Sequence, residues 1–290
     1  MLGVAGIVLG GALFLLFVGW LRRREPGLPL LGGREGVTTA LVIVFGIAIP
    51  LATNVVVFVA ANLVVARTTD APDPDTTPLT IDVTGHQWYW EVRYPGTRAV
   101  TANEIHIPVG TRVNLVARTA DVIHSFWVPQ LNRKIDMIPG HPNRVLLEAD
   151  RPGRYRGQCA EFCGEQHAHM AMYVFAEPPD RFRAWLDRMA APAVRPAEAD
   201  ARAGERVFME NACANCHAIR GTPARGTIGP DLTHLGSRTT LAALTVPNDP
   251  RELARWIRDP QHVKPGNLMP RLDLGERDYR ALDAYLRGLR

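Results

Sequence analysis

Two long uncharged stretches open the chain. Leu2 to Leu21 carries no charge over 20 residues, and Val37 to Ala66 carries none over 30, interrupted by Pro50 and dotted with Asn54 and Asn62. About 20 apolar residues cross a bilayer as a helix, and a longer run fits by tilting or kinking. The pattern therefore predicts two membrane spans, about 2–21 and 37–66. From Leu79 to Phe175 the apolar runs shorten. Leu79–Val83, Trp88–Tyr94, Glu104–Pro108, Arg112–Arg118, Arg144–Glu148 and Met172–Phe175 are rich in β-branched and aromatic residues and are separated by Pro and Gly turns. This predicts a β-sandwich or barrel of about 100 residues. Pro178 to Met189 reads as a short amphipathic helix. The segment from Arg202 reads as helices joined by Gly/Pro loops, and its final helix, Asp278 to Leu289, sets Tyr279, Leu282, Tyr285, Leu286 and Leu289 on one face.

The expected fold is thus a multi-domain membrane protein. A two-helix transmembrane hairpin (1–69) is followed by a stiff polar linker (70–78, DAPDPDTTP) and an all-β domain (79–178). A short helix with an Ala/Pro linker (179–201) then leads to an all-α domain (202–290). Arg22, Arg23, Arg24 and Arg34 lie between the two apolar runs. Positive charge stays in the cytoplasm, so both termini and everything after Ala66 are expected outside. A cleaved signal peptide wants its positive charge before the apolar core; here the charge follows it.

Net charge is +4 and no basic stripe interleaves with aromatics, so nucleic-acid binding has no support. The four cysteines form two close pairs, Cys159/Cys163 and Cys213/Cys216. Each pair could be a small disulfide, but neighbouring His and Met residues favour metal or haem chemistry. Cys159, Cys163, His167 and Met170 lie in one loop, and His124 lies upstream in HSFWVP. Thiolate, imidazole and thioether are soft ligands suited to copper. One Cys, two His and a Met would make a mononuclear site; the extra Cys159 allows two thiolates to bridge two copper ions. A strained disulfide or a zinc half-site is the competing reading of the pair.

The hairpin, GHQWYW (Gly85 to Trp90), HSFWVP and the C-A-E-F-C-G-x-x-H-x-x-M loop together resemble subunit II of the haem-copper cytochrome c oxidases over roughly residues 1–190. The resemblance implies a cupredoxin-like domain with a dinuclear copper (CuA) centre. The implied ligands are His124, Cys159, Cys163, His167, Met170 and the backbone carbonyl of Glu161. It also implies a magnesium ion shared by the Glu161 side chain with subunit I, and electron entry at Trp88. By strand alternation alone, Trp88 and Trp90 share one face as core aromatics. Glu35 lies near the place where some relatives carry a proton-path glutamate, but a charge at a helix N-terminus explains it as well. His141 replaces an arginine common after the Pro-Gly turn. His86, His106, His141, His169, His234 and His262 fall on neither motif and read as structural or surface residues.

Cys213-Ala-Asn-Cys216-His217 is the C-x-x-C-H attachment signature of haem c. The thiols bind the haem covalently and His217 ligates the iron. Met269 in NLMP, 52 residues beyond His217, is the expected sixth ligand, and methionine ligation raises the potential. Gly204 and Phe208 before the motif resemble the first helix of class I cytochromes c. Ile228 to Leu232 resembles the loop in which a carbonyl, here that of Pro230, orients the proximal histidine.

The combined resemblance implies the CuA subunit of a respiratory cytochrome c oxidase, an oxidoreductase whose oxygen site lies in subunit I. Electrons would run from haem c through copper to that subunit, with proton pumping. The implied partners are subunit I with its haem and CuB, further subunits such as subunit III, and an external donor such as cytochrome c or an upstream quinol-oxidising complex. The setting is a bacterial inner membrane. A nitric oxide reductase of the same superfamily and, from a different class, a copper-delivery protein are the alternatives.

Overall fold

The computed structural model describes residues 2–21, 35–69 and 76–290. The expected arginine-rich loop (22–34) and most of the 70–78 linker lie outside the described residues. The chain forms two compact units, Met1–Arg67 and Thr68–Arg290.

In the first unit, α1 (Leu2–Leu21) takes in the first apolar run. The second run forms α2 (Glu35–Ile43), a π-helical turn (Val44–Ala48) and α3 (Ile49–Thr69). Pro50 explains the π turn. Proline lacks an N–H and its ring crowds the carbonyl four residues earlier. Widening the preceding turn relieves the clash, and the Ile49 N–H reaches back to the Val44 carbonyl. Asn54 and Asn62 donate their amides to the Pro50 and Phe58 carbonyls at 2.9 and 2.8 Å, so each polar side chain is satisfied by its own helix. Among the described residues one helix, Thr39–Ala66, is long and apolar enough to cross a membrane.

The second unit begins with two five-stranded sheets that face each other as a cupredoxin-like sandwich. One has the order β3-β2-β1-β5-β8: β3 (Val100–Ala102), β2 (Tyr89–Arg93), β1 (Leu79–His86), β5 (Val113–Thr119) and β8 (Asn143–Leu147). The other has the order β4-β10-β9-β6-β7: β4 (Glu104–Pro108), β10 (Ala171–Glu177), β9 (Gly153–Cys159), β6 (His124–Trp127) and β7 (Ile135–Met137). Alternating residues meet between the sheets in a core that includes Ile81, Val83, Trp90, Leu115, Phe126 and Val174, all sealed from solvent. Burying side chains of this size contributes about 1.5–3 kcal/mol each. Trp90 packs edge-on against Phe126. Trp88 does not share that face: β1 and β2 are joined by the turn Gln87–Trp88, so Trp88 sits at the hairpin tip and only Trp90 enters the core. β3, β6, β7 and β9 were not among the expected strands: β3 is only three residues long, and the apolar positions of β6, β7 and β9 are interrupted by His, Asp and Arg.

α4 (Pro179–Ala190) buries Phe182, Trp185 and Met189 on the sandwich, with Trp185 stacked on His106 at 3.9 Å. The last segment contains α5 (Ala199–Glu210), the one-turn α6 (Cys213–Cys216), a two-residue ladder of β11 (Thr240–Leu241) and β12 (Val246–Pro247), α7 (Pro250–Arg258), α8 (Pro260–Val263) and α9 (Glu276–Gly288). Its helices alternate with long loops, one of which carries the isolated bridge Ala218–Arg225. α5 and α9 cross at Gly204, where a Cβ would lie 2.0 Å from the Ala281 carbonyl oxygen. One turn on, Phe208 packs edge-on against Tyr285.

Backbone cannot yield to a methyl group as a flexible side chain can. Gly204→Ala is therefore expected to lower stability by about 1–3 kcal/mol, read as a lower melting temperature of the helical segment in the full chain.

Candidate functional site

The strand ladder assembles the sulfur site. β6 pairs with β9 so that Phe126 lies opposite Cys159, which brings the start of β6 beside the end of β9. The Cys159 N–H donates to the Met170 carbonyl at 2.9 Å, and this closes the base of the intervening loop. The two cysteine sulfurs lie 3.7 Å apart. His124 Nδ1 is 3.8 Å from the Cys159 sulfur, His167 Nδ1 is 3.6 Å from the Cys163 sulfur, and the Met170 Sδ is 3.7 Å from the Cys163 sulfur. The Glu161 carbonyl oxygen lies 3.1 Å from the Cys159 sulfur. All six expected copper-site residues thus meet in one cluster. Among the described residues, the ligand atoms of His124, Cys159 and Cys163 lie within 4.8 Å of one another. His124 and Met170 are fully buried and the two cysteines nearly so.

The electrostatics follow from crowding. A hydrogen bond from Cys163 draws the Cys159 thiol down, against its burial and with help from His124. The Cys163 thiol is pushed up, first because its proton is held in the hydrogen bond to Cys159, then by burial and by the charge of the neighbouring thiolate. A cation between the sulfurs removes that opposition. On the far side of the ring, His124 Nε2 donates to Asp121 Oδ1 at 2.8 Å, which turns Nδ1 toward the sulfurs. Burial alone would push the Asp121 carboxyl up; His124 and the Gln87 and Val122 N–H groups hold it below its usual range.

The Glu161 side chain leaves the cluster. Its carboxylate is about half exposed and lies 3.5 Å from Lys134, which also faces Asp136. The Cys163 carbonyl accepts from both the Gln87 amide and the Trp88 indole, at 2.8 and 2.9 Å.

The second site is an apolar cavity in the helical segment, lined by Cys213, Cys216, His217, Leu232, Leu253, Met269 and Leu282 among others. His217 Nδ1 donates to the Pro230 carbonyl at 2.8 Å, and burial pulls its pKa down against that bond, which favours the neutral ring a metal needs. Gly229 lies against the ring: a Cβ there would sit 2.4 Å from His217 Cε1. Asn267 Oδ1 accepts the Met269 N–H at 2.8 Å, and Gln261 donates to the Met269 carbonyl at 2.9 Å, so the methionine loop is held on both sides. Arg238 also lines the cavity. It is buried, and its Nε has no partner, which suits an acidic group of an occupant.

The sandwich closes part of this cavity with Gln87, Trp88 and Tyr89. Lys264, just before the methionine loop, donates to the carbonyls of Trp88, His169 and Ala242 at 2.8, 2.8 and 3.1 Å. Burial pulls its ammonium down to about 7 while the Cys163 sulfur opposes the shift; the three carbonyl acceptors also favour the charged form. Neither Lys264 nor Arg238 was expected from the sequence, where nothing separates them from surface cations. His141 lies exposed in a turn bridged to Ile138, and the Glu35 side chain lies outside the described residues.

Comparison with known proteins covers both segments. Residues 97–176 match the family described as Cytochrome C oxidase subunit II, periplasmic domain, and residues 201–290 match Cytochrome c. The chain is 44% identical over 222 residues to cytochrome c oxidase subunit 2 of Alkalihalophilus pseudofirmus, covering 76% of this chain and 64% of that protein. It is 32% identical over 226 residues to the Bacillus subtilis protein of the same name, covering 73% and 62%. The match thus spans just under two thirds of the length of these relatives. Among solved structures, the periplasmic domain of subunit II of cytochrome oxidase from Bradyrhizobium japonicum is 32% identical, covering 41% of this chain and 96% of that one, with a TM-score of 0.39.

Asp121→Asn leaves the His124 ring without its carboxylate partner. Copper affinity, measured by competition with a chelator, is expected to fall roughly 10–100-fold, with the strand content unchanged by circular dichroism.

Proposed function

We propose that this chain, whose residues 97–176 and 201–290 are similar to cytochrome c oxidase subunit II and to cytochrome c, serves as the CuA subunit of a respiratory oxidase, passing electrons from a covalent haem c through a dinuclear copper centre to the haem of subunit I, where oxygen is reduced to water with proton pumping. The observation that carries this reading is the convergence of two cysteines, two histidines, a methionine and a carbonyl in one buried cluster. Their soft donor chemistry fits copper. Cys159 and Cys163 would bridge the metals, with His124, His167, Met170 and the Glu161 carbonyl completing the set. A thiolate-bridged copper pair shares one electron between two metals and so changes shape little on reduction.

The cavity fits haem c. Cys213 and Cys216 would attach it, His217 and Met269 would ligate its iron, and Arg238 offers a donor to an acidic group. A haem so ligated supplies a one-electron couple of raised potential. The chain's own residues orient and shield both groups. Asp121 and the Pro230 carbonyl fix the rotation of His124 and His217. The apolar wall of Leu232, Leu253 and Leu282 keeps water off the haem face. Trp88 supports its reading as the electron entry residue, because it borders the haem cavity and donates to the Cys163 carbonyl.

The half-exposed Glu161 carboxylate supports a magnesium ion shared with subunit I. The apolar helices Leu2–Leu21 and Thr39–Ala66 support a two-pass hairpin in a bacterial inner membrane, with both globular parts outside. Subunit I, further subunits such as subunit III and an external donor, a cytochrome c or a quinol-oxidising complex, are the partners this assigns. Burial of the sulfur cluster speaks against a copper-delivery role, which needs an exposed, labile site.

The full chain, matured with haem and loaded with copper in detergent, is expected to hold two coppers per haem, with a paramagnetic signal split equally by both. One copper per haem, or a signal localised on one ion, overturns the reading. Met269→Ala is expected to retain the covalent haem but lower its potential in a redox titration.

A further inference from the structure

Lys264 is 2% exposed, and its ammonium is satisfied by main-chain carbonyls rather than by a carboxylate. The three carbonyls belong to three separate parts of the chain. Trp88 is the tip of the β1–β2 hairpin, His169 ends the sulfur loop, and Ala242 begins a turn of the helical segment. An ammonium has three N–H groups, and here each joins a different segment. Burying a charge among neutral dipoles is costly, so the arrangement persists only where packing holds all three acceptors in place.

The surrounding contacts tie the same parts together. Ala242, Ala243 and Leu244 have φ of 52°, 58° and 66°, a left-handed run that L-residues disfavour. Its carbonyls serve the interface: Ala242 accepts from Lys264, and Ala243 accepts from the Ala171 N–H of β10. Gln166 in the sulfur loop donates to the Pro265 carbonyl at 2.5 Å. Gly266 lies so close to the same loop that a Cβ would meet the Glu165 carboxylate. The segment from Lys264 to Gly266, which leads into the methionine loop, is therefore seated on the loop that carries Cys163, His167 and Met170. A tether through residues 191–198 alone would let the two redox domains swing apart.

We propose that Lys264 is the positioning residue for electron transfer within this chain: it pins the methionine loop of the haem segment to Trp88 and the sulfur loop, so that the two redox centres are held in one docked geometry. The proposal rests on the haem-and-copper reading above. Electron tunnelling falls off exponentially with distance, so a docked pair transfers without a search. An undocked pair must first re-form the contact.

The test uses the full chain, haem-attached and copper-loaded, with Lys264→Met as the variant. The haem is reduced by a light pulse through a photoexcited ruthenium complex with a sacrificial amine as the electron source, and its reoxidation by copper is followed. In the native chain, internal transfer is expected as one phase whose rate is independent of added glycerol. In Lys264→Met it is expected to slow about tenfold or more and to slow further as viscosity rises. Copper per haem, haem potential and the copper paramagnetic signal are expected to stay native. A native, viscosity-independent rate in the variant overturns the proposal, even if its melting temperature falls. Should Lys264→Met fail to accumulate, Lys264→Gln, which keeps two of the three donors, carries the same test with a smaller expected slowing. If the native chain itself lacks haem or paired copper, the functional reading fails and the proposal falls with it.

Discussion

Two cysteine sulfurs held 3.7 Å apart in a buried loop are the constraint around which the second unit is organised. Left to themselves the thiols resist ionising together, since the first thiolate opposes the second. Holding them side by side requires that both ends of the loop be fixed, and the β-sandwich does this. β9 ends at Cys159, β10 begins just after Met170, and the Cys159-to-Met170 hydrogen bond shuts the base. β6 brings His124 to the same point from across the ladder. Rigid strands thus impose a geometry that a free loop would not keep.

The helical segment is attached to this scaffold through hydrogen bonds in which side chains of one part meet main-chain or side-chain groups of the other. Thr239 donates its N–H and its hydroxyl to the buried Glu104 carboxylate, Arg220 reaches the Arg98 carbonyl, and Tyr89 leans toward Ile228. These polar contacts are specific in direction, whereas an apolar interface of similar size would tolerate sliding. The haem cavity borrows Gln87, Trp88 and Tyr89 from the sandwich, and the Cys163 carbonyl accepts from two of those three residues. The wall of one site is therefore a support of the other.

Much of this was legible in the sequence because it rests on local pattern. Uncharged runs of 20 and 30 residues mark apolar helices whatever surrounds them. The Cys-x-x-Cys-His run and the Cys, His and Met residues of the sulfur loop declare their chemistry by spacing, and the expected strands Glu104–Pro108 and Met172–Phe175 fall within strands because their residue types favour a half-buried sheet. Other features could only come from the tertiary structure. β6 and β9 carry His and Arg where a strand pattern wants alternation, and they form because they pair with neighbours far along the chain. Trp88 reads as one of three strand aromatics, yet the hairpin turn places it half-buried at the edge of the core. Lys264, Arg238, Glu104 and Asp121 look like ordinary surface charges in the sequence. Lys264, Arg238 and Glu104 are buried partners only because the fold closes over them and supplies carbonyls, an N–H and a hydroxyl, in part from segments up to 176 residues away, whereas Asp121 stays exposed and pairs with His124 three residues on. Sequence determines which donors exist and how neighbours along the chain are spaced. Which distant groups meet, and hence which charges must be satisfied in the dark of the interior, is decided by packing.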